Sequence, residues 1–83
     1  AARPLSTEEI EWFQALLKAQ GRYVGEVNGR WDEATEQAMF GLIGTENLEE
    51  RYTGGPNLDE TALAYLKEKF SGEVSVPQRS RRL

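Results

Sequence analysis

The chain has 83 residues, with 10 Lys+Arg against 14 Asp+Glu and neither Cys nor His. That makes one small domain with a modest core, and it removes disulfides, thiolate metal sites, most zinc sites and any Ser-His or Cys-His catalysis. The formal charge of −4 divides into −6 over residues 1–72 and +2 over residues 73–83, and an acidic body argues against nucleic acid, whose binding rests on Lys and Arg neutralising phosphates.

Residues 1–5 read as a short lead-in. "LSTEEI" then opens a helix: Ser6 is an N-cap, Glu9 three residues on completes a capping box, and Leu5 and Ile10 stand where a hydrophobic staple requires them. Ile10, Phe13, Leu16 and Leu17 form one stripe, and Gly21 supplies a left-handed stop. The first helix is expected over residues 7–20.

"RYVGEVNGRW", residues 22–31, is too short for two stable strands, and Gly25 and Asn28-Gly29 mark turns. It reads as an ordered loop pinned by Tyr23, Val24, Val27 and Trp31. Asp32 caps a second helix, expected over 33–43, with Glu33 and Glu36 near its positive end. Ala34, Ala38, Met39, Leu42 and Ile43 make its apolar face, and Gly44 is expected to end it. Thr45 then caps a short turn in "ENLEER", with Leu48 directed at the core. "TGGPN" breaks the chain. Leu58 and Leu63 flank the cap Asp59 as a second staple, and a third helix is expected over 60–70, closed by Gly72. Its inward face is Ala62, Leu63, Leu66 and Phe70.

The fold class is therefore all-α: a small three-helix bundle over residues 1–72, with a short extra helical turn and an ordered loop between helices 1 and 2. Residues 73–83, holding Arg79, Arg81 and Arg82, are expected to be a mobile basic tail. No stretch approaches about 18 apolar residues, so nothing is expected to span a membrane. The chain opens on Ala1 without a secretory-leader pattern, which reads as a fragment of something longer or a processed product.

The motifs of site chemistry fail one by one. With Gly29 as the invariant glycine of a calcium loop, the first ligand falls on Val24 and the last on Thr35, neither of them acidic. "GGP" and "GTENLEE" are not phosphate loops, and acidic residues follow both. Most carboxylates lie on solvated helix faces, and the core is too small to enclose a large pocket. No metal, no cofactor and no enzymatic activity are expected.

"GRYVGEVNGRWDEATEQAMFGLIGTENLEERY" followed by "LDETALAYLKEKF" resembles the peptidoglycan-binding domain family, in the variant often appended to an N-terminal-nucleophile-hydrolase-like domain. Gly21 to Tyr23 correspond to the family's first turn. Val27, Asn28, Gly29, Trp31 and Thr35 correspond to its Val-Asp-Gly-x-Phe-Gly stretch and following Thr, with Asn28 where Asp is usual and Trp31 where Phe is usual. "GTENLEERY" is the most specific part. The resemblance covers residues 10–70 and implies a three-helix fold in which this loop is structural. Val27 and Trp31 are then expected to plug the core, with truncation of Trp31 to alanine costing about 3–5 kcal/mol.

The resemblance implies a binding module for peptidoglycan or its fragments, located in the cell envelope. The alternative is a docking or oligomerisation appendage of a larger enzyme, which would be cytoplasmic if that enzyme is not exported. The candidate surface is the 22–31 loop with the start of helix 2 and the turn after it. Its residues are Arg22, Tyr23, Asn28, Arg30, Arg51 and Tyr52, offering stacking, amide hydrogen bonds and pairing with stem-peptide carboxylates. Trp12, Phe40 and Tyr65 miss their helical stripes and are the candidates for a docking face.

Overall fold

The computed structural model describes residues 2–74. In chain order it contains β1 (Ala2–Pro4), α1 (Thr7–Ala19), α2 (Glu33–Thr45), a 3-10 turn (Glu49–Arg51), β2 (Asn57–Asp59), α3 (Glu60–Lys69) and a second 3-10 turn (Ser71–Glu73). The architecture is a three-helix domain with one two-stranded antiparallel ribbon. The ribbon and the second 3-10 turn are absent from the sequence-based expectation. Ala2, Arg3 and Pro4 pair with Asp59, Leu58 and Asn57, and Leu5 N–H donates to Pro56 O at 2.8 Å. The lead-in is thus tied to the start of α3.

The helix starts follow their caps. Ser6 Oγ accepts from Glu9 N–H, and Glu9 returns the bond to Ser6 N–H. Asp32 accepts from Thr35 N–H, and Asp59 from Thr61 and Ala62 N–H. Leu5 and Ile10, and Leu58 and Leu63, are all buried as staples.

The helix ends are more selective. At α1, Gly21 has φ +75, its N–H donates to Lys18 O, and Arg22 N–H donates to Leu17 O. That is a Schellman closure on the expected glycine. At α2 the expected stop at Gly44 fails. The helix runs on to Thr45, and the left-handed residue is Asn47 at φ +60, with Asn47 N–H to Gly44 O and Leu48 N–H to Ile43 O. Asn tolerates this conformation, so the same closure forms three residues later. Gly72 likewise lies in the second 3-10 turn and does not close α3.

The core is Phe13, Leu16, Leu17, Met39, Leu42, Ile43, Leu58, Ala62 and Leu66, ringed by Leu5, Ile10, Tyr23, Ala38, Tyr52, Leu63 and Phe70. Trp12, Trp31, Leu48 and Val74 pack against it half-buried. Ala34, expected inside, is exposed. The expected tail begins inside the second 3-10 turn, and Val74 touches the core. Residues 75–83, with Arg79, Arg81 and Arg82, lie outside the described residues.

Candidate functional site

The loop between α1 and α2 is organised from beneath by Gln14, whose side chain is fully buried. Its Oε1 accepts Asn28 N–H at 3.0 Å and Gly29 N–H at 2.9 Å. Two backbone donors on one oxygen fix the amide orientation. Nε2 then faces Arg30 O at 2.8 Å and Thr35 Oγ1 at 3.1 Å, with Asn28 Oδ1 at 3.3 Å and Tyr23 Oη at 3.5 Å further off. Thr35 passes the connection on, donating from both Oγ1 (2.6 Å) and N–H (2.9 Å) to Asp32 Oδ1. These two bonds from Thr35 hold the Asp32 carboxyl below its ordinary pKa. One buried amide therefore ties α1 to the loop and to the cap of α2.

Tyr23 is the plug of this loop. It is 3% exposed, and its hydroxyl donates to Glu26 O at 2.8 Å. A Cβ on Gly25 would lie 2.5 Å from Tyr23 Oη and 2.7 Å from Cζ, so the glycine is the space the ring occupies. Val24, expected to pin the loop, is 92% exposed, and Val27 is half-buried outside the core.

Trp31 differs from its expected role as a plug. It packs against the core but stays half-buried, and its Nε1–H donates to Glu36 Oε1 at 2.6 Å. The same oxygen accepts Gly55 N–H at 2.8 Å. Glu36 therefore fastens the indole on one side and the 53–56 turn on the other. Beside it lies a shallow open cleft of about 300 Å³ lined by Trp31, Asp32, Glu33, Glu36 and Gln37.

The six expected site residues divide. Tyr23, Asn28 and Arg30 meet around Gln14. Arg22 reaches the other end of α2, bonding Gln20 Oε1 at 2.8 Å and Thr45 Oγ1 at 2.9 Å. Arg51 pairs with Asp59 at 3.0 Å. Tyr52 is 5% exposed, its hydroxyl donates to Gly55 O at 2.9 Å, and its ring meets Phe40 edge-on at 5.0 Å. Burial, reinforced by the nearby Glu36 charge, pushes its phenol far above the ordinary range. Tyr23 and Tyr52 are thus core residues without an open ring face, which corrects their expected stacking role. Asn28 is exposed, but its Oδ1 accepts Arg30 N–H at 2.9 Å as a turn-forming group.

Gln14, Glu36 and Gln37 were not among the expected residues. Gln14 did leave a signal: positions 10, 13, 14 and 17 share one helical face, so a polar residue at 14 stands in an apolar register. Glu36 and Gln37 left none, since a surface carboxylate and amide in a first or second helical turn are ordinary.

Among the described residues no group of three acidic side chains is placed to hold a metal ion, and no helix is long and apolar enough to cross a membrane. No curated protein and no solved structure matches the chain. A family model does match, over residues 1–66, which take in the loop, the cleft, both strands and most of α3. The chain belongs to the family described as "Putative peptidoglycan binding domain".

Proposed function

We propose that this domain is a non-catalytic binding module for peptidoglycan, and that the ligand rests in the cleft beside Trp31. The family match carries the ligand class. The cleft supplies a surface of suitable chemistry. A half-exposed indole offers a flat apolar face to the C–H side of a sugar ring. Glu33 and Gln37, both exposed, stand beside it as an acceptor and a mixed donor–acceptor for hydroxyl and N-acetyl groups. Because Glu36 holds Trp31 through Nε1, the ring is oriented before any ligand arrives. Arg30 at the loop rim is the exposed cation available to a stem-peptide carboxylate.

Asp32 and Glu36 are already engaged within the fold, which suits a binding surface better than a general acid. A general acid needs a raised pKa, whereas Asp32 is held low by Thr35. Glu36 is engaged by Trp31 and Gly55. The opening is shallow, so affinity is expected to be weak.

A second reading, a docking appendage of a larger enzyme, draws on Phe40 and Tyr65, each 44% exposed. Tyr65 is tied by its hydroxyl to Glu46 at 3.0 Å, which leaves Phe40 as the freer contact. An NMR titration with soluble muropeptide fragments separates the two readings. Shifts at the Trp31 indole N–H and at Gln37, the latter lost in a folded Trp31→Ala variant, support the binding module. Silence there, with concentration-dependent association abolished by Phe40→Ser, sinks it in favour of docking.

A further inference from the structure

Asn28 precedes Gly29, whereas Asn47 and Asn57 each precede a leucine. An Asn-Gly step is the least hindered place for a backbone nitrogen to reach the side-chain carbonyl carbon before it, because Gly carries no side chain. Gly29 is not exchangeable here. It has φ +77, and a Cβ would lie 2.5 Å from Thr7 Cγ2. The loop is therefore committed to a chemically vulnerable pair, with Asn28 exposed to water.

In the closed loop both reacting groups are engaged. Gly29 N–H donates to Gln14 Oε1 at 2.9 Å, and Asn28 N–H donates to the same oxygen at 3.0 Å. Asn28 Oδ1 accepts Arg30 N–H at 2.9 Å, which holds the side chain in a turn. The Gly29 nitrogen therefore keeps its proton against a buried acceptor.

We propose that Asn28 is a self-modification site gated by Gln14: the closed loop withholds the Gly29 nitrogen, and each local opening exposes Asn28 to deamidation. In the open loop the Gly29 nitrogen gives its proton to solvent base and attacks Asn28 Cγ. The N–Cγ bond forms, the Cγ–Nδ2 bond breaks, and ammonia leaves with a proton from solvent, closing a five-membered imide. Water then opens the ring. Cleavage of the new N–Cγ bond leaves aspartate at position 28 on an ordinary backbone. Cleavage of the original peptide bond leaves isoaspartate, with the chain routed through the side-chain carbonyl and one methylene longer. Either product adds one negative charge to the loop. Aspartate keeps an oxygen for Arg30 N–H and Gln14 Nε2, so the loop can close again. Isoaspartate displaces Gly29 N–H from Gln14 and unties the loop from α1.

The test is to incubate the full chain at mildly alkaline pH, with and without denaturing urea, following intact mass and enzymatic detection of isoaspartate by peptide. In urea, position 28 should convert first of the three asparagines. In the native chain it should convert roughly tenfold more slowly or better, the factor given by a local opening free energy of about 1.4 kcal/mol. Gln14→Ala, checked for helicity, should bring the native rate toward the urea rate. If that variant does not fold, sub-denaturing urea on the parent chain gives the same reading: conversion at 28 should rise in step with exchange of the Gly29 amide. Equal native and urea rates, a folded Gln14→Ala variant with unchanged rate, or conversion that ignores Gly29 amide exchange would each overturn the proposal.

Discussion

Gln14 concentrates more of the fold in one side chain than any other polar residue described. Gln14→Leu would preserve much of the volume but leave Asn28 N–H, Gly29 N–H and Arg30 O without their partner. Stranded buried groups cost about 1–3 kcal/mol each when water cannot reach them, and the loop is partly open to solvent. A loss of about 2–4 kcal/mol is expected by urea denaturation. The glycines give a sharper contrast. Gly21 and Gly29 have nearly the same φ, +75 and +77, but a Cβ at Gly21 meets nothing within 4 Å while one at Gly29 strikes Thr7. Gly21→Ala should cost about 1–2 kcal/mol, the left-handed penalty alone. Gly29→Ala should cost clearly more, and equal values would refute the role of the Thr7 contact. Trp31→Ala should cost about half of the roughly 3–5 kcal/mol of a fully buried tryptophan, because one side of the ring already faces the cleft. Sequence patterning placed Trp31 against the core correctly but could not show how much of the ring stays open.

At the scale of elements, local signals and long-range pairing were unequally legible. Three helix starts were readable because each cap lies within a few residues of the groups it serves, with a staple beside two of them. The ribbon was not, because Ala2–Pro4 finds its partner more than fifty residues away, and three residues carry no periodicity. The end of α2 misled because glycine is the commoner left-handed residue, while here Asn47 takes that place. The element joining these pieces is Arg3, which salt-bridges Glu9 of α1 at 2.7 Å and Glu60 of α3 at 2.6 Å. Its hydrogen bond pulls the Glu9 carboxyl from 4.5 down to about 2. A folded pKa below the unfolded one means the unfolded chain binds more protons at acidic pH. The stabilisation is thus complete above about 4.5 and disappears as pH falls toward 2. Arg3→Ala should return the Glu9 titration, followed by carbon-detected NMR, toward the ordinary carboxylate range. It should also flatten the loss of stability across that window. A Glu9 titration unmoved by the variant would show that Arg3 is not the cause.

For the molecule as a whole, one core joins the three helices, β2 and Leu5, so damage at the chain's beginning should be felt throughout. Leu5 is 7% exposed and sits where the ribbon meets α1. Leu5→Ala should cost about 2–3 kcal/mol, the lower part of the range for buried leucines. Removing residues 1–5 should cost more, since it also deletes the ribbon and both Arg3 ion pairs. Thermal unfolding that remains a single transition, shifted down, is the expected outcome, and two separated transitions would contradict a single core. The candidate surface was legible only as a region. The sequence pointed to the loop and the start of α2, but it assigned the aromatic role to Tyr23 and Tyr52. Both rings turn inward because a short domain uses its large side chains for packing before anything else.

The Glu36 bond to Trp31 also makes the protein its own optical probe. The chain holds two indoles, and Trp12 lies away from the cleft, edge-on to Phe13 at 5.0 Å with Lys67 Nζ 5.4 Å from its ring. A Trp12→Phe variant therefore emits from Trp31 alone. A ligand that strips water from the open ring face should move that emission to the blue, while unfolding should move it to the red. Occupancy and denaturation would then be read in one cuvette with opposite sign.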